Sequence, residues 1–365
     1  MKKVLVALCA VALLGLTACK KDDPTPANNN PGTVVNPGNN DAVPDAPGQP
    51  GIFNPSAKIA TVSLDGSLSE TWNWEQGRLS SVTDADGSEQ VHFLYDNQGR
   101  VSTMVLNGDG QLSGTVSFSY ANNNVERISL VNEGAELLGA DVTYNGTKVS
   151  KATLDMSDNM ILDIFNDLIV QYLGTALNVD LTGTSIENVQ GNVNFRWNGD
   201  DVNLIVTNVS GRIKSTIGQV APLIANVSLF SNYAGAIQEL AEHFPNNKVY
   251  LSLTLVDSAE YTYNTNYFNP MRRYLGKLFT MEDDLPRVEV AAFSTHPVAT
   301  EHHHGNATAT LSVEFVTNYP TALPPYTMAL PGNDMSYIYS TTRSDKRPES
   351  VAYDIHTKTY TYKAN

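Results

Sequence analysis

One pattern recurs through the first half of the chain and restricts its fold more than any other feature. The clearest copy is Phe93-Leu94-Tyr95-Asp96-Asn97-Gln98-Gly99-Arg100-Val101-Ser102. An aromatic ends one alternating run, residues that tolerate positive φ make a turn, and a basic-aliphatic-Ser triplet starts the next run. Weaker copies are Trp74-Glu75-Gln76-Gly77-Arg78-Leu79-Ser80, Tyr120 leading through Asn122-Asn123-Asn124 to Arg127-Ile128-Ser129, Tyr144-Asn145-Gly146-Thr147-Lys148-Val149-Ser150, and Trp197-Asn198-Gly199-Asp200. Trp74, Tyr95, Tyr120 and Tyr144 stand 21, 25 and 24 residues apart. That distance holds one strand out, a turn and one strand back, so each unit is a hairpin and the chain is an antiparallel meander.

The expected fold is mainly β (α+β): a curved antiparallel β-meander or partial barrel of hairpin repeats over residues 56–365, covered by two or three helices. The first helix is expected near 157–174, where Ser157 can cap and Ile161, Ile164, Phe165, Leu168 and Leu173 recur at helical spacing before Gly174. The second, near 232–244, carries Ile237, Leu240, Ala241 and Phe244 and is stopped by Pro245. A shorter one begins at Asn269-Pro270, with Met271, Tyr274, Leu275 and Leu278 on one face. Strands are expected again at 288–293, 308–316, 335–341 and 351–363. Outward strand positions are largely Ser, Thr, Asn and Asp, which argues against a membrane-spanning barrel.

The tyrosine-aspartate hairpins resemble the repeats of RHS-type proteins, and the whole layout resembles bacteroidetes-type lipoproteins that carry such hairpins behind a Pro/Asn-rich tether. In RHS proteins the repeats build a shell and do no chemistry. Residues 1–18 resemble a bacterial lipoprotein signal peptide: Lys2-Lys3, an apolar run over 4–16, then Leu16-Thr17-Ala18-Cys19. The resemblance implies cleavage before Cys19 and acylation of its thiol and amine, which together give stable membrane anchoring. Lys21-Asp22-Asp23 resembles the export tag of surface lipoproteins in the same bacteria. The implied address is the outer membrane, facing out of the cell. Residues 20–55 contain eight prolines and no aromatic before Phe53, so residues 19–55 are expected to form the lipidated Cys and a disordered tether.

Composition narrows the function. The formal charge is −15, or about −17 once Lys2 and Lys3 are removed with the leader. The densest basic group, Arg343, Lys346 and Arg347, is interleaved with Asp345 and Glu349, so nucleic acid is not an expected partner. The two cysteines, Cys9 and Cys19, fall in the leader and at the lipidation site, so the folded part has no disulfide and depends on its core.

Candidate sites are few. Glu301-His302-His303-His304 is the one dense ligand-type cluster. Adjacent strand residues face opposite ways, so only His302 and His304 could converge on a metal, and the segment between Pro297 and Gly305 is expected to be an exposed loop. Glu282-Asp283-Asp284 before Leu285-Pro286 reads as a solvated turn or helix end. No nucleophile elbow, phosphate loop or dinucleotide loop occurs, and no cofactor is expected. Trp72, Trp74, Tyr95, Tyr120, Tyr144, Trp197, Tyr261 and Tyr263 could stack on glycans, but their repeat positions suit cross-strand core pairs better. Asp257-Ser258-Ala259 resembles the short O-glycosylation acceptor of bacteroidetes, which makes Ser258 a candidate. The reading reached is a surface-tethered, non-catalytic module that binds a glycan, lipid or protein. The alternatives are an accessory subunit of an outer-membrane complex and, with least support, a hydrolase.

Overall fold

The computed structural model describes residues 58–107, 113–121, 124–146, 148–157, 185–225, 231–266, 269, 280–282, 285–287, 294–314, 325–330, 334–342, 350–353 and 356–363. Cys19, Lys21, Asp22, Asp23, the tether, the helix expected near 157–174, most of the one expected from Asn269 and the strand expected at 288–293 lie outside these residues.

The repeat region folds as the expected meander: β1 (Ile59–Leu64), β2 (Ser67–Glu75), β3 (Arg78–Asp84), β4 (Glu89–Tyr95), β5 (Val101–Asn107), β6 (Ser113–Ala121), β7 (Asn124–Asn132), β8 (Ala135–Asn145) and β9 (Lys148–Met156). Four longer strands follow, β10 (Ser185–Asn198), β11 (Asp201–Thr216), β12 (Lys248–Tyr263) and, after the small separate hairpin β13 (Thr280–Glu282) and β14 (Leu285–Arg287), β15 (Val298–Glu314). The chain ends with β16 (Tyr326–Leu330), β17 (Asp334–Thr342), β18 (Ser350–Tyr353) and β19 (His356–Tyr362). The single run expected over 351–363 is thus a hairpin of two strands, because the chain turns back between Tyr353 and His356.

Every pairing is antiparallel, from β1–β2 through β11–β12, then β12–β15, β15–β17, β17–β18 and β18–β19. The last strand returns to the first, with Thr61 opposite Thr361 and Val62 opposite Tyr360. Among the described residues the pairings therefore form a continuous ring. One edge of the 17-residue β15 is shared: β16 covers Ala307 to Leu311 and β17 covers Thr300 to His304.

Alternate residues face inward and are apolar. Ile59, Trp72, Leu79, Val101, Met104, Val125, Ile128, Ala140, Val149, Val193 and Val202 are each at most 3 % exposed and belong to one core drawn from the whole ring. A round barrel of this many strands would leave a channel. Here the inward side chains of the ring pack into one buried core. Outer positions carry Ser, Thr, Asn and charged residues, the inverse of what a lipid-facing barrel needs.

The repeat aromatics have a specific task. Trp74 Nε1 donates to the carbonyl of Ile59 at 2.8 Å, Tyr95 Oη to Leu79 at 2.6 Å, Tyr120 Oη to Val101 at 2.6 Å, Tyr144 Oη to Val125 at 3.0 Å, and Trp197 Nε1 to Val149 at 2.7 Å. Tyr95, Tyr120, Tyr144 and Trp197 thus each clamp the buried aliphatic near the start of the second strand of the preceding hairpin, and Trp74 clamps the first residue of β1. The basic residue before that aliphatic lies over the same ring: Arg78 on Tyr95, Arg100 on Tyr120 and Lys148 on Trp197, with the cation 4.2–5.3 Å from the centroid. Pairing slips just before each aromatic, at Asn73/Trp74, Leu94/Tyr95, Ser119/Tyr120, Thr143/Tyr144 and Arg196/Trp197, and bulges of this kind re-aim a side chain. The third copy is offset from its sequence alignment. Val125, not Ile128, is the clamped aliphatic, and Arg127 instead pairs with Glu136, Asp141 and Asp155 on the outer face.

Helix α1 (Ile217–Ala225) and helix α2 (Ser231–His243) join β11 to β12 and pack on each other. The second was expected; the first was hidden by Gly218 and Pro222. Its start carries the reach-back half of a capping box: Gln219 Oε1 accepts from the N–H of Thr216 at 3.4 Å and from its hydroxyl at 3.1 Å. Ile217, Ala221, Ile237 and Leu240 are buried at the end of the long strands.

Candidate functional site

The longest strands carry polar residues onto the inner wall. Along β15 the inward series runs Glu301, His303, Gly305, Ala307, Ala309 and Leu311, and on β12 the matching series includes Leu253, Asp257, Ala259 and Tyr261. Strand register then assembles a cluster. His303 Nε2 lies 2.6 Å from Glu301 Oε1, its Nδ1 lies 3.5 Å from Asp257 Oδ2, and Tyr339 of β17 donates to Glu301 Oε2 at 2.6 Å. Glu301 is 4 % exposed and Tyr261, edge-on to the His303 ring, is 5 % exposed.

Burial alone would lower the His303 pKa, but hydrogen bonds to Asp257 and Glu301 outweigh it and hold the group up to about 9. At neutral pH the ring is an imidazolium between two carboxylates, with both nitrogens engaged. It therefore has no lone pair to accept a proton and cannot serve as a general base. Burial raises the Tyr261 phenol well above its ordinary value, with Glu301 adding to the shift. Two features mark the cluster as more than a satisfied ionic core. The Asp257 side chain faces inward yet is 49 % exposed, so solvent reaches the inner wall there. The Tyr261 hydroxyl is buried without a hydrogen-bond partner, as is Thr341 Oγ1, two residues beyond Tyr339 on the same face of β17.

A second buried group lies at the start of β11, beside the Tyr261 end of the first. Asp201 accepts from His296 N at 3.1 Å and faces His296 Nδ1 at 2.8 Å. Ser294, fully buried, donates to Tyr263 Oη at 2.8 Å and accepts from Val202 N at 3.2 Å. Serine, histidine and aspartate are all present, but the serine hydroxyl is spent on Tyr263 and Val202. This group is a clasp that holds residues 294–297 on the β10–β11 hairpin.

The sequence candidates fall differently. The Glu301 to His304 segment is strand, not the exposed loop expected, because its alternation continues that of Ala307, Ala309 and Leu311. His302 and His304 share the outer face, His302 Nδ1 2.6 Å from Ser336 Oγ. Among the described residues no group of three or more His, Cys, Asp or Glu is placed to hold a metal. Ser258 also lies on the outer face, in the middle of β12, where its hydroxyl donates to the His304 carbonyl at 3.3 Å. Asp283 and Asp284 fall between β13 and β14, outside the described residues. Of the eight aromatics weighed as a stacking platform, Trp72 and Tyr261 are buried, and Trp74, Tyr95, Tyr120, Tyr144, Trp197 and Tyr263 are packed against the core. The inner pair Glu301 and His303 was missed in favour of the outer pair; strand parity read back from the apolar residues of β15 would have found it.

Comparison with known proteins agrees with the repeats. The RHS Repeat family model matches residues 72–112, which span β2 to β5, so the chain carries RHS-type repeats there. No curated protein matched the chain. Among solved structures, a porin-like protein from Bacteroides vulgatus is similar at 7 % identity and a TM-score of 0.29, over 84 % of this chain and 100 % of that one.

Proposed function

We propose that the chain is an outer-membrane lipoprotein displayed on the cell surface, and that its RHS-type β-shell is a non-catalytic ligand-binding module. The observation that carries the binding role is the Asp257 carboxylate, which lies on the inward face of β12 yet is 49 % exposed, in a wall otherwise lined largely by buried apolar side chains. A non-catalytic role is supported by His303, whose two nitrogens are both held by carboxylates. The address is supported by Leu16-Thr17-Ala18-Cys19, by Lys21-Asp22-Asp23 and by the polar outer face of the shell, which suits a body tethered beside a membrane and not embedded in it. The accessory-subunit alternative calls for a broad apolar outer patch. The exposed large apolar side chains described, Leu68, Leu94 and Ile338, sit on three different strands.

Protease shaving of intact cells tests the address. The native chain should be cut, a variant with Lys21, Asp22 and Asp23 replaced by alanine should be protected, and Cys19→Ala should leave the membrane fraction. Protection of the native chain would place the shell in the periplasm and overturn surface display.

A further inference from the structure

The outer wall behind the buried cluster carries an arrangement with its own chemistry. Alternate residues of a strand share a face and stand about 6.5–7 Å apart. His302 and His304 are such a pair on β15, both exposed, while His303 between them is turned inward and held by Glu301 and Asp257. Pairing with β12 on one side and β17 on the other runs through all three without a slip, so the pair keeps strand spacing. From that spacing two imidazoles leaning together reach a single ion at the usual metal–nitrogen bond of about 2 Å. The His302 ring is already oriented, with Nδ1 2.6 Å from Ser336 Oγ on β17. A hydrogen bond from Nδ1–H to that oxygen leaves the lone pair on Nε2, which is how a supporting partner fixes the tautomer of a metal-binding histidine and raises its basicity. Glu260, exposed and opposite His302 in the β12–β15 pairing, adds negative charge that favours a cation there.

We propose that His302 and His304 together chelate a divalent transition-metal ion of the copper(II) type on the outer wall of the shell. Among the described residues no group of three or more His, Cys, Asp or Glu is placed to hold a metal, so the protein supplies two ligands and water completes the coordination. A structural zinc site wants four protein ligands and is poorly served by such a pair. Copper(II), at the top of the affinity order for divalent ions, takes imidazole readily and accepts a tetragonal arrangement with open positions. The pair lies on the face opposite Glu301 and His303, so it stands independently of the ligand-binding reading above.

The untagged mature protein, solubilised in detergent, is titrated with copper(II) and passed over resins loaded with copper(II), nickel(II) or zinc(II). Binding should be strongest to copper(II) and saturate at a single ion per chain, with the electron paramagnetic resonance signature of two nitrogen ligands. His302→Gln and His304→Gln should each weaken it about tenfold or more, because the second ligand no longer binds as an intramolecular step. Both side chains are exposed, so each variant should keep the native urea midpoint. His243→Gln, at an exposed histidine on α2, should bind as the native chain does. Copper binding that either single variant at position 302 or 304 leaves intact would assign it to a lone histidine or to another site and overturn the chelate. A bound-copper spectrum with a single nitrogen ligand, or no retention on the copper(II) resin, would overturn it as well.

Discussion

A few residues hold strand to strand, and their roles can be tested singly. Tyr120→Phe keeps the ring under Arg100 but strips the buried Val101 carbonyl of a 2.6 Å hydrogen bond. It should destabilise the shell by about 1–2 kcal/mol, measured as a lower urea midpoint. Gly191 lies where β9 and β10 approach closely. A Cβ there would sit 2.7 Å from Leu154 Cβ and 2.9 Å from Met156 Cε, so Gly191→Val should cost at least about 1–3 kcal/mol as an overpacking change. His303 supplies a pH signature. Its folded pKa of about 9 lies above its ordinary 6.5, so the folded state binds its proton more tightly than the unfolded chain. The stabilisation is complete below pH 6.5 and is lost as pH rises through 9. The urea midpoint should therefore fall between pH 6.5 and 9.5 in the native protein, and His303→Gln should flatten that slope; an equal slope in both would assign the titration to another group.

The elements differ in how plainly the sequence announces them. The hairpins of β2 to β9 are legible because each carries its own turn. Gln76-Gly77 and Glu133-Gly134 adopt positive φ at both positions, the geometry that matches strand twist. Asp96 ties the β4–β5 turn by accepting from the N–H groups of Gln98 and Arg100 at 2.9 Å. Helix α2 was legible from its apolar spacing and from Pro245. Helix α1 was not, since its nine residues include Gly218 and Pro222 and its signal is the Thr216-x-x-Gln219 box. Thr216→Ala should cost about 1 kcal/mol, again read from the urea midpoint. The candidate site was half legible. Its residue types stood out as Glu301 to His304, but the side that faces inward follows from the register of β12 against β15, and Tyr339 arrives only through the pairing of β17 with β15. Such long-range partners leave no trace in local spacing.

For the molecule as a whole, the decisive feature is that the sheet returns to its own beginning. A meander of this length left open would present two unpaired edges, each a template for aggregation. Here β19 covers the free edge of β1, and the two ends of the fold are joined across 300 residues of sequence by paired backbones and by the hydroxyls of Thr61 and Thr361 at 2.5 Å. The ring also explains why strands of different repeats contribute to one interior, and why the polar cluster can lie on an inner wall. Closure admits a direct test, since the sequence has only two cysteines, Cys9 and Cys19, both before the described strands. With Cys9 and Cys19 changed to Ala, cysteines placed at Thr61 and Thr361 stand opposite each other in an antiparallel pair, where opposed Cα atoms lie about 4.5–5.5 Å apart, within the span of a disulfide. Mild oxidation of the folded Thr61→Cys/Thr361→Cys protein should give a crosslinked species of altered mobility on a non-reducing gel. A Thr61→Cys/Ser119→Cys control, on strands that do not pair, should stay reduced. Two thiols that remain free and fully reactive at positions 61 and 361 would contradict the closed shell.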